Sequence, residues 1–180
     1  MGINLYKKDY YRFYGDKKPT FLQRVFKPYE LRYIKWYRYC QNHRRALFAR
    51  YILRSISKKT HIQIPPQVSI GGGLFILHFG RIVVNHHVKA GRNFTINPGI
   101  LLGQEERRNR RGSPSFGDDV YVGQNAVVVG KISIGDDVLI APNAYVNFDV
   151  PSHSVVIGNP GKIIHKENAT EYYIKNPVMY

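Results

Sequence analysis

At 180 residues the chain has room for one well-cored domain and an appendage rather than for two domains. A single cysteine, Cys40, excludes an internal disulfide, and no apolar run approaches the roughly 18 residues of a transmembrane helix. The formal charge of +15 is uneven: residues 1–60 carry 16 Lys and Arg against Asp9, Asp16 and Glu30, and the rest of the chain carries 11 against 9.

A basic, tyrosine-rich segment, residues 1–60, is thus joined to a nearly neutral one. The N-terminus lacks the apolar core of a signal peptide, so a cytoplasmic protein is expected. From about Pro28 to Ser57 the chain reads as helix, with Leu31, Ile34, Trp36, Tyr37, Leu47, Phe48, Tyr51 and Ile52 as apolar surface among Arg and Lys. Such a helix can lie against anionic headgroups at the inner face of a cell membrane, or it can cap a solenoid or join subunits; both readings stand. The charge lacks any nucleic-acid reading motif.

From residue 61 a six-residue period takes over. Ile64, Ile70, Ile76, Ile82, Val88, Phe94 and Ile100 form one apolar series, and Phe116, Val122, Val128, Ile134, Ile140 and Val146 form another. Six fits neither a helix nor a flat strand, but it fits short strands joined by tight turns around a triangular coil, each burying one apolar side chain. Small residues follow the apolar one at Gly71, Gly117, Gly123, Gly135 and Ala141, where the backbone turns. The expected fold is mainly β: a parallel β-helix over 61–165, an N-terminal helical segment and a tail over 166–180. Between the two series, about residues 103–115, "GQEERRNRRGSPS" breaks the period with a charged excursion, the kind of loop that carries binding groups on a rigid scaffold.

This pattern, followed by "VPSHSVVIGNPGKII", resembles the left-handed β-helix hexapeptide-repeat acyltransferases, and "LHFGRIVVNHHVKAG" resembles the active-site coil of their serine acetyltransferase branch. The left hand is implied by the resemblance alone. In that family a histidine takes the proton from the acceptor hydroxyl, and the match is His78; an imidazole, with an ordinary pKa of about 6.5, suits this task near neutral pH. The resemblance implies acetyl-CoA as co-substrate, no metal, and a groove between subunits of a homotrimer. Gly103, Gly123, Ala126 and Ala141 match its pantetheine wall. Gly158, Pro160 and Lys162, in "GNPGK", match its adenine and phosphate end. Asn85, Arg111 and Ser113 are the candidate acceptor contacts.

Three departures bear on the acceptor. Serine acetyltransferases place an aspartate before the histidine and an Arg-His pair at the end of the excursion, where this chain has Leu77, Gly112 and Ser113. Without these charges a zwitterion loses contacts worth about 1.5 to 3 kcal/mol each, so the expected acceptor is a hydroxyl of a surface polysaccharide or its lipid-linked precursor, with serine as the alternative. The carboxylate that orients the histidine corresponds to Gln63; Glu105, Glu106 or a backbone carbonyl is left to take its place. A zinc site is disfavoured, because His86 and His87, adjacent on a strand, would point apart. A non-enzymatic trimeric binding scaffold is the remaining alternative.

Overall fold

A computed structural model describes residues 2–17, 19–43, 45–107 and 110–179. Four helices precede the solenoid: α1 (Gly2–Tyr14), α2 (Phe21–Val25), α3 (Tyr29–Asn42) and α4 (Leu47–Thr60). The strands then cycle around three faces of a triangular prism. Face I holds β1 (Ile62–Gln63), β4 (Ile82–Val84), β7 (Leu101–Gly103), β10 (Val127–Val129) and β13 (Tyr145–Val146). Face II holds β2 (Ser69–Ile70), β5 (Lys89–Ala90), β8 (Ser115–Phe116) and β11 (Ser133–Ile134). Face III holds β3 (Phe75–Ile76), β6 (Thr95–Ile96), β9 (Val120–Val122), β12 (Val138–Ile140) and β14 (Ser154–Ile157), closed by antiparallel β15 (Lys162–His165). All other pairings are parallel, so the architecture is the expected parallel β-helix with N-terminal helices.

Every member of both six-residue series is buried. The full inward set is denser than either series: two side chains per face, two residues apart, then a step of four to the next face, as in Ile62, Ile64, Val68, Ile70, Leu74 and Ile76. The step from Ile76 to Ile82 is six, whereas the stacked steps Ile96 to Ile100, Val122 to Ala126 and Ile140 to Ala144 are four. The corner between faces III and I in the first coil therefore carries two extra residues, and His78 lies in it. The six-residue series runs through this extension unbroken because Ile82 stacks on Ile62, not on Ile64.

The helix expected over 28–57 is two helices packed side by side, α3 ending at Asn42 and α4 beginning at Leu47. Leu31 is buried, and Ile34 and Tyr37 are buried in the core shared with the solenoid, whereas Leu47, Phe48 and Tyr51 are exposed. The division follows from what α3 covers. The first coil has no preceding strand to pair with, and α3 supplies the missing partners. Tyr33 Oη accepts from Ile64 N and donates to Ile64 O, Tyr37 Oη donates to Val68 O, and the Arg38 guanidinium donates to Ile70 O and Gly71 O. Burial pushes both tyrosine hydroxyls well above their ordinary pKa.

Arg38 is paired with Asp9 of α1 at 2.8 Å, both side chains buried, and Asp9 Oδ1 also accepts from Gly73 N and Leu74 N. The tail returns along the corner between faces II and III. There Asp137 accepts from Ala169 N, Thr170 N and Thr170 Oγ1, and Asn93 Oδ1 accepts from Val178 N. Burial raises the Asp137 carboxyl, but the hydrogen bonds from Thr170 and His153 outweigh it and hold the group below its ordinary pKa. Asp9→Ala leaves the Arg38 guanidinium buried without its counter-charge; thermal unfolding should show a loss of about 3 to 5 kcal/mol.

Candidate active site

His78 is exposed at the III–I corner of the first coil, between Leu77, whose N–H donates to Ile96 O, and Phe79. The extension is held from two sides. Below it, Gly80 takes a φ of +154° against Pro98 of the next coil, where an added Cβ would approach Pro98 Cβ at 2.9 Å. Beside it, the Phe79 N–H donates to Glu30 Oε1 of α3 at 2.8 Å, and the Phe79 ring meets Tyr29 edge-on at 5.9 Å.

The same corner repeats in each later coil, as Asn97–Gly99, Gly123–Asn125, Ala141–Asn143 and Gly158–Pro160, joined by Gly99 N to Arg81 O, Asn125 N to Pro98 O, Asn143 N to Gln124 O and Tyr145 N to Gly158 O. His78, Gly123, Ala141, Gly158 and Pro160 thus share one edge of the prism, and Ala126 is buried where that edge enters face I. Gly123 is required by close stacking: a Cβ there would lie 2.6 Å from Pro142 N and 2.7 Å from Ile140 O. Lys162 is exposed at the start of β15.

The remaining candidates occupy another edge, between faces I and II. Gly103 ends β7, and the excursion closes through paired backbone bonds between Glu105 and Gly112. Ser113 Oγ donates to Asn85 Oδ1 at 3.1 Å, and exposed Arg111 pairs with Glu106 at 3.4 Å. Face I separates this edge from His78, so one chain does not bring the two halves of the expected site together. Glu105 and Glu106 accordingly do not reach His78 within the chain, and Gln63, exposed on β1, makes no hydrogen bond to it among the described residues. His86 and His87 sit in a turn rather than on a strand, and their rings pack at 3.9 Å instead of pointing apart. Among the described residues, no group of three or more His, Cys, Asp or Glu is placed to hold a metal ion.

The residue that sequence reading missed is Glu30. Its signal, one of only three acids in a strongly basic segment, was visible, but its neighbour 49 residues away was not. A groove of about 660 Å3 lies elsewhere, under the tail between Asp119, His153 and Tyr172. Its polar groups, including Asp137 and Asn93, are committed to holding the tail.

Residues 113–147 match the bacterial transferase hexapeptide model of six repeats. Over 124 residues the chain is 35% identical to a serine acetyltransferase from Staphylococcus xylosus, a match spanning 69% of this chain and 57% of the relative. The fold superposes on a serine acetyltransferase from Brucella abortus in complex with coenzyme A, with a TM-score of 0.77, 25% identity, and coverage of 92% of this chain and 68% of that one. It superposes on a serine acetyltransferase from Neisseria gonorrhoeae in complex with serine with a TM-score of 0.76, 25% identity, and coverage of 91% and 69%.

These likenesses overturn the expectation of a polysaccharide hydroxyl as acceptor. That expectation took the lost charges at Leu77, Gly112 and Ser113 as the loss of all charge at the acceptor site. Those positions lie on two different edges of the prism, Leu77 beside His78 and Gly112 and Ser113 at the end of the excursion.

Replacing Gly123 by Ala forces a Cβ onto the backbone of the next coil; chemical denaturation should show a loss of about 1 to 3 kcal/mol. The chain carries bacterial transferase hexapeptide repeats on a parallel β-helix and is similar, in sequence and in fold, to proteins named serine acetyltransferase.

Proposed function

We propose that the protein is an acetyl-CoA-dependent serine O-acetyltransferase with His78 as general base. The observation that carries this reading is the two-residue extension at residues 77–81, which presents an exposed imidazole on the same edge as the small residues Gly123, Ala141 and Gly158. That edge offers backbone groups and little side-chain bulk to a pantetheine arm, with Lys162 toward a CoA phosphate as a point charge. Likeness to the serine acetyltransferases supports the donor and the acceptor.

In the proposed reaction His78 accepts the proton of the serine hydroxyl as its oxygen attacks the thioester carbonyl. A backbone N–H of the edge stabilises the oxyanion, and collapse of the tetrahedral adduct expels the CoA thiolate, which takes the proton back from the imidazolium. No acyl-enzyme forms. Cys40 is buried in α3, and that burial pushes its thiol up, away from the nucleophilic thiolate. The two edges call for a second copy: in a homotrimer the excursion of one subunit, with Arg111 and Ser113, would face His78 of the next.

Purified protein should acetylate L-serine from acetyl-CoA, and His78→Ala should lower kcat by about a hundredfold or more while CoA binding persists in calorimetry. Equal turnover by the variant removes His78 from the mechanism, and absence of serine turnover by the intact protein removes the acceptor.

A peripheral membrane contact is supported by a separate observation. Leu47, Phe48 and Tyr51 are 77, 74 and 72% exposed on α4 beside Arg50 and Arg54. Such a face suits an anionic lipid surface, each cation adding about 1 kcal/mol there. Sedimentation with phosphatidylserine vesicles should fall on raising salt and in Phe48→Ser; pelleting unaffected by either discards this contact.

A further inference from the structure

We infer that Glu30 is a positioning residue for the general base, clamping the turn that carries His78; the inference rests on the reading of His78 above. The extension at residues 77–81 has two residues more than any corner stacked on it, so its backbone cannot all be satisfied by the regular ladder. Leu77 N still reaches Ile96 O and Ile82 N reaches His61 O, but the neighbouring coil holds no hydrogen-bond partner for Phe79 N among the described residues. Glu30 Oε1 accepts that N–H at 2.8 Å.

The carboxylate is itself well placed to hold a fixed position. Glu30 is 7% exposed, in the first turn of α3, where a negative charge is favoured by the helix dipole. The same helix is anchored on the first coil through Tyr33, Tyr37 and Arg38, so the clamp is braced against Ile64, Val68 and Ile70 rather than hung on a free loop. Tyr29, the preceding residue, adds an edge-on contact with the Phe79 ring. The coil position from which an orienting carboxylate was expected holds Gln63. Fixing the Phe79 amide fixes the peptide next to His78 and so the direction of its Cα–Cβ bond, the quantity on which proton transfer geometry depends. Glu30 thus acts through the backbone and touches neither substrate.

The test compares the full-length wild type with Glu30→Ala, Glu30→Gln and, as a control for loss of α3 packing alone, Tyr33→Phe. Glutamine keeps an acceptor oxygen, alanine does not. Glu30→Ala should lower kcat for serine acetylation about tenfold or more with the KM for acetyl-CoA unchanged, and Glu30→Gln should return kcat to within about threefold. Tyr33→Phe should lower Tm without that fall in kcat. Hydrogen–deuterium exchange over residues 77–81 reads the clamp without any catalysis: faster in Glu30→Ala, unchanged in Glu30→Gln. Unaltered exchange in Glu30→Ala overturns the clamp whatever the protein catalyses. Altered exchange with kcat retained, or an equal loss of kcat in Tyr33→Phe, overturns its role in positioning the base. Altered exchange in Glu30→Ala, beside a wild type that fails to turn over serine, refutes the acceptor assignment, not the clamp.

Discussion

The structure depends on a constraint of parallel coils: each one satisfies its backbone only through the coils above and below, so the first coil must be capped by something that is not a strand. Here α3 does this with side chains, Tyr33, Tyr37 and Arg38 standing where strand carbonyls and amides would otherwise be. Arg38 can be buried in that role because Asp9 of α1 meets it, and Asp9 in turn takes the amides of Gly73 and Leu74. The positive charge of the first 60 residues thus includes buried cations that finish the solenoid, Arg12 and Arg38, besides exposed ones such as Arg32 and Lys35 on α3 and Arg50 and Arg54 on α4.

The cap and the site are one arrangement. A helix laid across the first coil to pair with Ile64, Val68 and Ile70 necessarily begins at the III–I corner, where Glu30 meets Phe79. His78 gains reach because its corner is two residues too long to stack, and the length that projects the imidazole also frees an amide that something must satisfy. Support of the turn that carries His78 and completion of the fold thus draw on the same helix, and a strongly basic segment holds a carboxylate against that turn.

The separation of the two candidate edges bears on how much a single chain can do. The small-residue edge with His78 is complete in one copy, running through five corners. The charged excursion is not, since face I lies between it and the imidazole. Leu77 on the one edge, and Gly112 and Ser113 on the other, are thus far apart in one chain, and the charges absent at them are a poor guide to the acceptor.

The amino-acid sequence by itself determined the solenoid, since a six-residue spacing of apolar side chains from Ile64 to Ile100 and from Phe116 to Val146 fits neither a helix nor a flat strand, and it marked the excursion by a break in that pattern and His78 by a motif on it. The six-residue count also concealed something. It passed from Ile76 to Ile82 without a fault because the two added residues shifted the series from one inward position to the other, and only the pairing of Ile82 with Ile62 exposes the extension. The partner of Phe79, the packing of His86 on His87 in a turn, and the division of 28–57 into a capping helix and an exposed one were decided by tertiary structure. Each depends on which groups a coil leaves unsatisfied, and that is a property of neighbours in space rather than of neighbours along the chain.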